Sequence, residues 1–317
     1  MRIAECVLSA CLSLLVSAPV WGASFPNKPV RILIGFTTGG GTDALARMLV
    51  VNLAEKWGQP VLVENRPGAD GDIALEALMR SAPDGHTLVL ALNAMTIAPN
   101  QRKVNYDPLR SFAPVSLIAY SPGLLVVRQS LPVNNGRELI AYAKARPGEL
   151  NFGSTGVGTT PYLQMALLMK LTDTKMVSVP FKGTPIAAMV AGDIDLGFSA
   201  IPASFPMVKA GKLKALAVAT RTRASQLPDV PTMAEAGFPG NEANTWYAVM
   251  APGGTPRDVV NILNTDFIGA MKDPILSPRI AAMGFVNVLS TPEELLDTIR
   301  SDLAQWADLM KSIKVVQ

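Results

Sequence analysis

"PVRILIGFTTGGGTDALAR", residues 29–47, carries the main signals of the fold in one continuous stretch. Residues 29–36 form a short apolar run with β-branched side chains, which predicts a buried strand. The apolar residues that follow recur at the spacing of one helix face: Leu45, Met48, Leu49 and Leu53. Residues 39–41 are three glycines, and they predict a turn from strand to helix because glycine adopts backbone conformations that other residues avoid.

The alternation of strand and helix continues along the chain. Further strands are predicted at residues 60–65, 86–92, 122–127, 150–155, 175–181, 194–199, 213–220 and 245–252. Helices are predicted at residues 72–82 and 136–148, and from the Thr-Pro pairs at 255–256 and 291–292. The segment "ENRPGADGD" (64–72) is interpreted as a hairpin-like connector. Strands that alternate with helices predict an α/β fold with a parallel sheet.

Length and composition limit the class of protein. A chain of 317 residues suggests about two domains. Hydrophobic residues make up 49% and charged residues 17%, so the chain can bury a substantial core. The formal net charge is only +3, and no block of Lys and Arg residues resembles a nucleic-acid-binding surface. No nucleic-acid partner is therefore expected.

The first 22 residues predict a cleaved secretory signal. Arg2 precedes an apolar run interrupted only by serines, and small residues precede the proposed cleavage after Gly22. The run is too short for a membrane anchor, which needs roughly 20 predominantly apolar residues. Residues 8–11 resemble a lipoprotein motif, but the apolar run continues past Cys11, which disfavours lipidation.

Cysteine and histidine are too scarce for several kinds of chemistry. Both cysteines, Cys6 and Cys11, lie in the predicted signal, so the mature chain has no disulfide and no thiol nucleophile. His86 is the single histidine, which excludes a metal site of several histidines. A Ser-His-Asp triad would have to use His86, but a residue just before a strand is more simply a side chain at a turn. No metal and no cofactor are expected.

Two glycine-rich loops each lie between a predicted strand and a predicted helix. They are residues 39–43 and 154–161, and residues 181–185 form a weaker third copy. We expect Thr160 to cap the helix after the second loop and Pro161 to begin it. Unpaired N–H groups and the helix dipole make such loops suited to anions, and two of them predict a clamp around a ligand. Neither loop has the ending of a P-loop or the full dinucleotide motif, which favours a carboxylate over a nucleotide.

A set of motifs resembles one family over nearly the whole mature chain. In chain order they are "FPNKPVRILIGFTTGGGTDALAR", "GQPVLVENRPGADGDI", "APDGHTL", "GTTPYL", "VPFKGTPIAAMVAGDIDLGF", "KAGKLKALAV" and "LPDVPTMAEAGFPG". Together they are similar to the Bug family, the periplasmic solute receptors of tripartite tricarboxylate transporters. The resemblance implies a two-domain type II periplasmic binding fold with a ligand cleft between the domains. It implies domain 1 at residues 23–122 plus 246–317 and domain 2 at residues 123–245.

The resemblance also implies which residues bind the ligand. Backbone and hydroxyl groups are expected to make most contacts, together with ordered waters. The expected ligand contacts are Gly40, Gly41, Thr42, Asn93, Ala94, Ser154, Gly156, Gly158, Thr159 and Ser199. Lys182 lies in a family turn but is interpreted as an exposed turn residue. Asp43 and Arg47 are spaced i,i+4 on one helix face and are expected to pair with each other.

The chain departs from the family at three positions: His86 replaces an aromatic residue, Tyr162 replaces a histidine, and Ser199 replaces the aspartate of an "FDN" motif. In receptors for acidic amino acids, that aspartate could pair with the ligand's ammonium group. Ser199 carries no charge, and Asp195 lies about 13 Å away along the strand. The ligand is therefore expected to be a plain carboxylate, such as a di- or tricarboxylic or aromatic acid. The alternative is that position 199 does not touch the ligand.

The expected function is that of a monomeric periplasmic receptor, which delivers a small carboxylate to the membrane permease of a transporter. Two alternatives remain open from the residues alone. A ligand-sensing receptor for a membrane kinase would use the same site. A secreted hydrolase would need a serine together with His86.

Overall fold

A computed structural model describes residues 25–154, 156, 159–181, 184–241 and 244–313. The predicted signal at residues 1–22, with Cys6 and Cys11, lies outside the described residues. The strands are β1 (Val30–Ile34), β2 (Val61–Asn65), β3 (Thr87–Leu92), β4 (Phe112–Ser121), β5 (Gly123–Arg128), β6 (Asn151–Ser154), β7 (Val177–Pro180), β8 (Leu196–Ala200), β9 (Leu213–Val218), β10 (Thr245–Pro252) and β11 (Val286–Asn287).

The helices lie between these strands and after them. They are α1 (Gly41–Trp57), α2 (Asp72–Met79), α3 (Ala94–Ile97), α4 (Gly136–Ala145), α5 (Thr160–Thr172), α6 (Ile186–Ala191), α7 (Ile201–Lys209), α8 (Arg257–Met271), α9 (Leu276–Ala282) and α10 (Pro292–Ile313). Two short 3₁₀ turns are present at Ala69–Gly71 and Ala98–Asn100.

The strands form two separate sheets. The first has the order β11-β4-β10-β3-β1-β2, and the second has the order β7-β6-β8-β5-β9. Both sheets are mixed, which corrects the expectation of a parallel sheet. In the first sheet β1 pairs in parallel with β2 and β3, whereas β10 is antiparallel to β3 and β4. In the second sheet β6 is parallel to β7 and β8, whereas β5 is antiparallel to β8 and β9.

The chain passes between the sheets twice. Pro122 alone separates β4 in the first sheet from β5 in the second. The return passage lies between β9 and β10. The strand that follows each passage, β5 in the second sheet and β10 in the first, runs against its neighbours, which is why neither sheet is purely parallel. The predicted domain boundaries at residues 122–123 and 245–246 fall at these passages, and the division into domains stays a prediction.

Apolar side chains cover both faces of each sheet. On one face of the first sheet, Leu45 and Leu49 of α1 and Phe267 of α8 pack with the strands. On its other face, residues of α2 and α10 form a second cluster that includes Leu78 and Leu295. The second sheet has its own two clusters. This layered packing of helices on sheets is that of an α/β protein, as expected.

The segment 64–72 is not a hairpin-like connector. It leads from β2 through the turn Ala69–Gly71 into α2, and the strands on either side of it run parallel to β1. Ala69 and Asp70 adopt left-handed backbone conformations, with φ of 48° and 55°. Gly71 approaches Gly35 so closely that a Cβ on Gly35 would lie 2.4 Å from the Gly71 Cα. Only glycine fits this contact, which holds the turn against the end of β1.

We expect Gly35→Ala to destabilise the protein, because two backbone segments would have to separate to admit the methyl group. Overpacking of this kind costs about 1–3 kcal/mol. Gly40→Ala is the matched control, since Gly40 has φ of −76° and its nearest atom to an added Cβ is the Thr37 carbonyl oxygen at 3.5 Å. Urea denaturation measures both variants, and equal midpoints for the two would contradict the close-contact argument.

Candidate ligand-binding site

A cavity of about 420 Å³ lies between the two sheets, at the ends where their parallel strands finish. Phe36 follows β1 and Asn93 follows β3, whereas Thr159 precedes α5 and Phe181 follows β7. All of these residues lie beyond the carboxyl ends of parallel strands. In open α/β sheets this edge is where ligands bind, because strand ends and helix starts converge there.

Asn93 joins the two halves of the molecule at this cavity. Its side chain is buried, and its Nδ2 donates to the main-chain oxygen of Asn244 at 3.0 Å. Its Oδ1 accepts a hydrogen bond from the Thr160 hydroxyl at 3.3 Å. Thr160 belongs to the second sheet's helix α5, and Asn244 belongs to the passage into β10. The amide therefore contacts the second half and the return passage at once.

The start of α5 forms the opposite wall of the cavity. The helix begins at Thr160 with Thr159 as its N-cap, one residue before the predicted cap, and Pro161 lies in its first turn. The Thr159 hydroxyl does not cap the helix but donates to the main-chain oxygen of Gly156 at 2.9 Å. The N–H groups of a first helical turn lack partners within the helix and suit a carboxylate.

The first glycine loop is fixed by its own carboxylate. Asp43 is buried in α1 and accepts hydrogen bonds from the Gly39 N–H at 3.0 Å, from Arg47 at 2.9 Å and from Asn65 at 3.0 Å. The Arg47 hydrogen bond is the main reason that the pKa of Asp43 falls to about 2, with Gly39 and Asn65 adding to it against the effect of burial. The expected Asp43–Arg47 pair is thus confirmed.

The structure brings together only some of the expected ligand contacts. Asn93, Ala94 and Thr159 line the cavity. The residues expected to contact ligand that do not line it are Gly40, Gly41, Thr42, Ser154, Gly156 and Ser199. Ser154 and Ser199 are buried in the second sheet, where the Ser199 hydroxyl is 3.4 Å from the Ala200 oxygen. Gly158, like Lys182, lies outside the described residues. The contacts of these residues with a ligand stay predictions.

Sequence reasoning missed one end of the cavity, formed by Asp70, Gln101 and Arg102. Arg102 donates to Asp72 at 2.8 Å and to the Ala69 oxygen at 3.0 Å, and it lies 3.7 Å from the Asp70 carboxylate. The buried Gln101 Nε2 has no hydrogen-bond partner among the described residues. Asp70 lies within the strained turn Ala69–Gly71, and Gln101 and Arg102 follow a short 3₁₀ turn, so no periodic pattern marks them in the sequence.

A larger cavity of about 970 Å³ lies beside the two passages between the sheets. Trp246, Asp302 and Trp306 are among its lining residues, and none of them follows the carboxyl end of a parallel strand. Size alone would favour it as the ligand site. We assign the ligand to the smaller cavity because the strand ends, the helix start and the Asn93 junction all converge there.

His86 does not belong to the cavity. It precedes β3, whereas Asn93 follows that strand at its other end. Its Nδ1 lies 3.1 Å from the Asp84 main-chain oxygen, and its ring contacts Phe25 edge-on at 4.9 Å. This confirms the interpretation of His86 as a side chain at a turn, away from the residues that line the cavity.

The described residues, 25–154, 156, 159–181, 184–241 and 244–313, also bear on membrane and metal roles. In that part of the chain, no helix combines the length and the apolar character that a membrane span requires. In the same ranges, no three His, Cys, Asp or Glu side chains are grouped so that they could hold a metal ion.

Two α/β sheets linked by crossing segments, with a small cavity at their facing edges, define a solute-binding protein. Residues 45–315 match the tripartite tricarboxylate transporter family receptor, TctC. The chain therefore belongs to the TctC family, and the resemblance to Bug proteins is confirmed. Members of this family are substrate-binding proteins and not enzymes.

Relatives of known sequence and structure agree with this assignment. The protein BugT from Bordetella pertussis is 33% identical over 301 residues, which cover 93% of this chain and 92% of BugT. The structure of R. palustris Rpa4515 with adipate has a TM-score of 0.85 and 33% identity, over 92% of this chain and 98% of that chain. MatC from Rhodopseudomonas palustris with bound malate has a TM-score of 0.81 and 32% identity, over 90% of this chain and 99% of that chain. These neighbours confirm the predicted periplasmic binding fold.

Two acids near the site should respond to pH with opposite signs. The pKa of Asp43 is lowered to about 2, so the stability that it contributes is present above the unfolded value of about 4 and is lost as the pH falls toward 2. Burial raises the pKa of Asp302, against the effect of the hydrogen bond from the Trp246 indole N–H. Its ionisation therefore lowers stability as the pH rises above about 4.

We expect Asp43→Asn to lose about 1–2 kcal/mol of stability at pH 7 and little at pH 2.5. Asp302→Asn should match or exceed the wild type at pH 7 and should lose that advantage in acid. Urea midpoints at pH 2.5, 4 and 7 compare the three proteins. A parallel pH dependence of the two variants would contradict the assigned directions.

Proposed function

We propose that this protein is a periplasmic receptor that binds a small organic carboxylate between two α/β domains and delivers it to the membrane component of a tripartite tricarboxylate transporter. The observation that carries the proposal is the cavity in which the start of α5 faces the Asn93 junction. In this proposal the domains are residues 23–122 plus 246–317 and residues 123–245, and the receptor acts as a monomer.

Three observations support a carboxylate ligand. The first turn of α5 begins at the cavity wall, where the Thr160 N–H has no partner within the helix, and the N-terminal end of a helix favours anions. The structural neighbours with adipate and with malate hold dicarboxylates. The cavity wall also includes Leu92, Ile97 and Phe36, which suit the carbon chain of a small organic acid.

Organic acids should raise the melting temperature selectively. A ligand at 100 times its dissociation constant stabilises the native state by about 2.7 kcal/mol. We expect a narrow subset of succinate, malate, citrate, adipate and benzoate-type acids to shift the transition, with aspartate and glutamate compared in parallel. Calorimetry then gives the affinity of each active acid. If no acid shifts the transition, while the protein hydrolyses an ester and His86→Ala abolishes that activity, the receptor assignment is wrong.

The hydrogen bond between Thr160 and Asn93 should contribute to affinity. Thr160→Val keeps the shape of the side chain but removes the donor to Asn93, and one lost hydrogen bond of about 0.5–1.5 kcal/mol weakens binding by about two- to tenfold. Thr172→Val is the matched control, because the Thr172 hydroxyl donates to Leu168 at the far end of the same helix. Calorimetry with the active acid measures both. Equal affinities for the two variants would show that the junction does not affect the ligand.

A further inference from the structure

The C-terminal helix α10 contacts both ligand-binding segments on the side away from the cavity. Its residues Trp306, Leu309 and Met310 form one apolar cluster with Ile97 and Leu163. Ile97 belongs to α3, the short helix that Asn93 begins, and Leu163 belongs to α5. A single helix thus packs against a segment from each half of the molecule, although α10 contributes no residue to the cavity wall.

Asp302 lies one turn before this cluster and forms a polar link to the same segments. Its Oδ2 accepts a hydrogen bond of 2.6 Å from the Trp246 indole N–H. Trp246 lies in β10, two residues after Asn244, whose main-chain oxygen receives the Asn93 amide. The first route from α10 to Asn93 therefore passes through the strand that follows the return passage.

The second route passes through Thr96. The Thr96 hydroxyl is buried, lies 2.8 Å from the main-chain oxygen of Asn93 and lies 3.4 Å from Asp302 Oδ2. A hydroxyl carries one proton, and the shorter distance assigns it to Asn93. Thr96 still contacts Asp302 Oδ2, so its hydroxyl links the Asn93 main chain to the Asp302 side chain.

We propose that Asp302 is a positioning residue for the ligand site, which acts through Trp246 and Thr96 to hold Asn93 against Thr160 and the cavity. The inference rests on the proposed function, since it concerns the cavity to which the carboxylate is assigned. Asn93 is buried and has a partner on three sides, so a shift in either route moves its amide relative to the start of α5. Affinity then depends on a side chain that does not touch the ligand.

Substitutions at Asp302 separate positioning from packing. Asp302→Ala removes the acceptor for Trp246, and we expect malate and adipate to bind about tenfold more weakly. Asp302→Asn retains an acceptor oxygen and should restore most of the affinity. Asp297→Ala is the matched control on the same helix, because Asp297 is exposed and pairs only with Arg300 among the described residues. Calorimetry of the four proteins gives the affinities, and urea denaturation shows whether they fold with similar stability.

A double-mutant cycle tests the route through Thr96. If Asp302 acts through Thr96, the losses of affinity in Thr96→Val and Asp302→Ala are not additive in the double variant. Trp246→Phe tests the route through β10 and leaves Asp302 unchanged. The substitution keeps an aromatic ring but removes the indole N–H donor. Affinities of Asp302→Ala and Trp246→Phe equal to that of the wild type would overturn the proposal.

A ligand-free measurement distinguishes this inference from the proposed function. The side-chain amide resonances of Asn93 in ¹⁵N spectra should shift in Asp302→Ala and stay close to wild type in Asp297→Ala. If the wild type binds no organic acid, the proposed function is wrong. The shift of the Asn93 amide resonances then tests by itself whether Asp302 positions Asn93. Unchanged Asn93 resonances in Asp302→Ala overturn the inference, whatever the wild type binds.

Discussion

The buried amide of Asn93 is the contact on which the arrangement of the two sheets around the cavity depends. An amide buried without partners costs about 1–3 kcal/mol, so its position is set by the groups that satisfy it. Those groups are the Asn244 oxygen at 3.0 Å and the Thr160 hydroxyl at 3.3 Å, which belong to the return passage and to the second sheet's helix. Both partners are in place only when the two halves approach each other. At the cavity, Asn93 therefore links the end of β3 directly to the start of α5.

Two carboxylates that do not line the cavity hold the segments around it. Asp43 holds the first glycine loop by accepting from the Gly39 N–H, so part of that loop's capacity for anions is used by the protein itself. Asp302 holds Trp246 from the C-terminal helix. The pKa of Asp43 is lowered by donors around a buried carboxylate, whereas burial raises that of Asp302. Both acids hold a neighbouring segment by accepting a hydrogen bond, but the surroundings favour the ionised form of Asp43 and disfavour that of Asp302.

The sequence predicts the elements of this fold better than it predicts the cavity. Most strands are apolar runs bounded by glycine or proline, so their positions follow from local composition. Local composition does not predict strand β4, because "FAPVSLIAYS" contains Pro114 and runs almost directly into β5. The family resemblance locates Asn93 and Ala94 at the end of a predicted strand, and the Thr-Pro pair at 160–161 marks the helix start beside Thr159. Phe36 and Phe181 lie beside glycine loops, but their place in the wall depends on how the two sheets face each other, and Gln101 carries no mark in the sequence.

If the proposed carboxylate site is this cavity, recognition there has a general part and a selective part. The N–H groups at the start of α5 suit any carboxylate, so they define the class of ligand but not its identity. Selection must come from the remaining walls. The apolar side chains Leu92 and Ile97 limit the width available to the carbon chain. At the far end, Asp72 already pairs with Arg102 at 2.8 Å, and Asp70 adds a further carboxylate, so among the described residues this end carries no excess of positive charge. The length of the ligand and the hydrogen-bonding character of its remote group, rather than its total negative charge, therefore decide which acid fits.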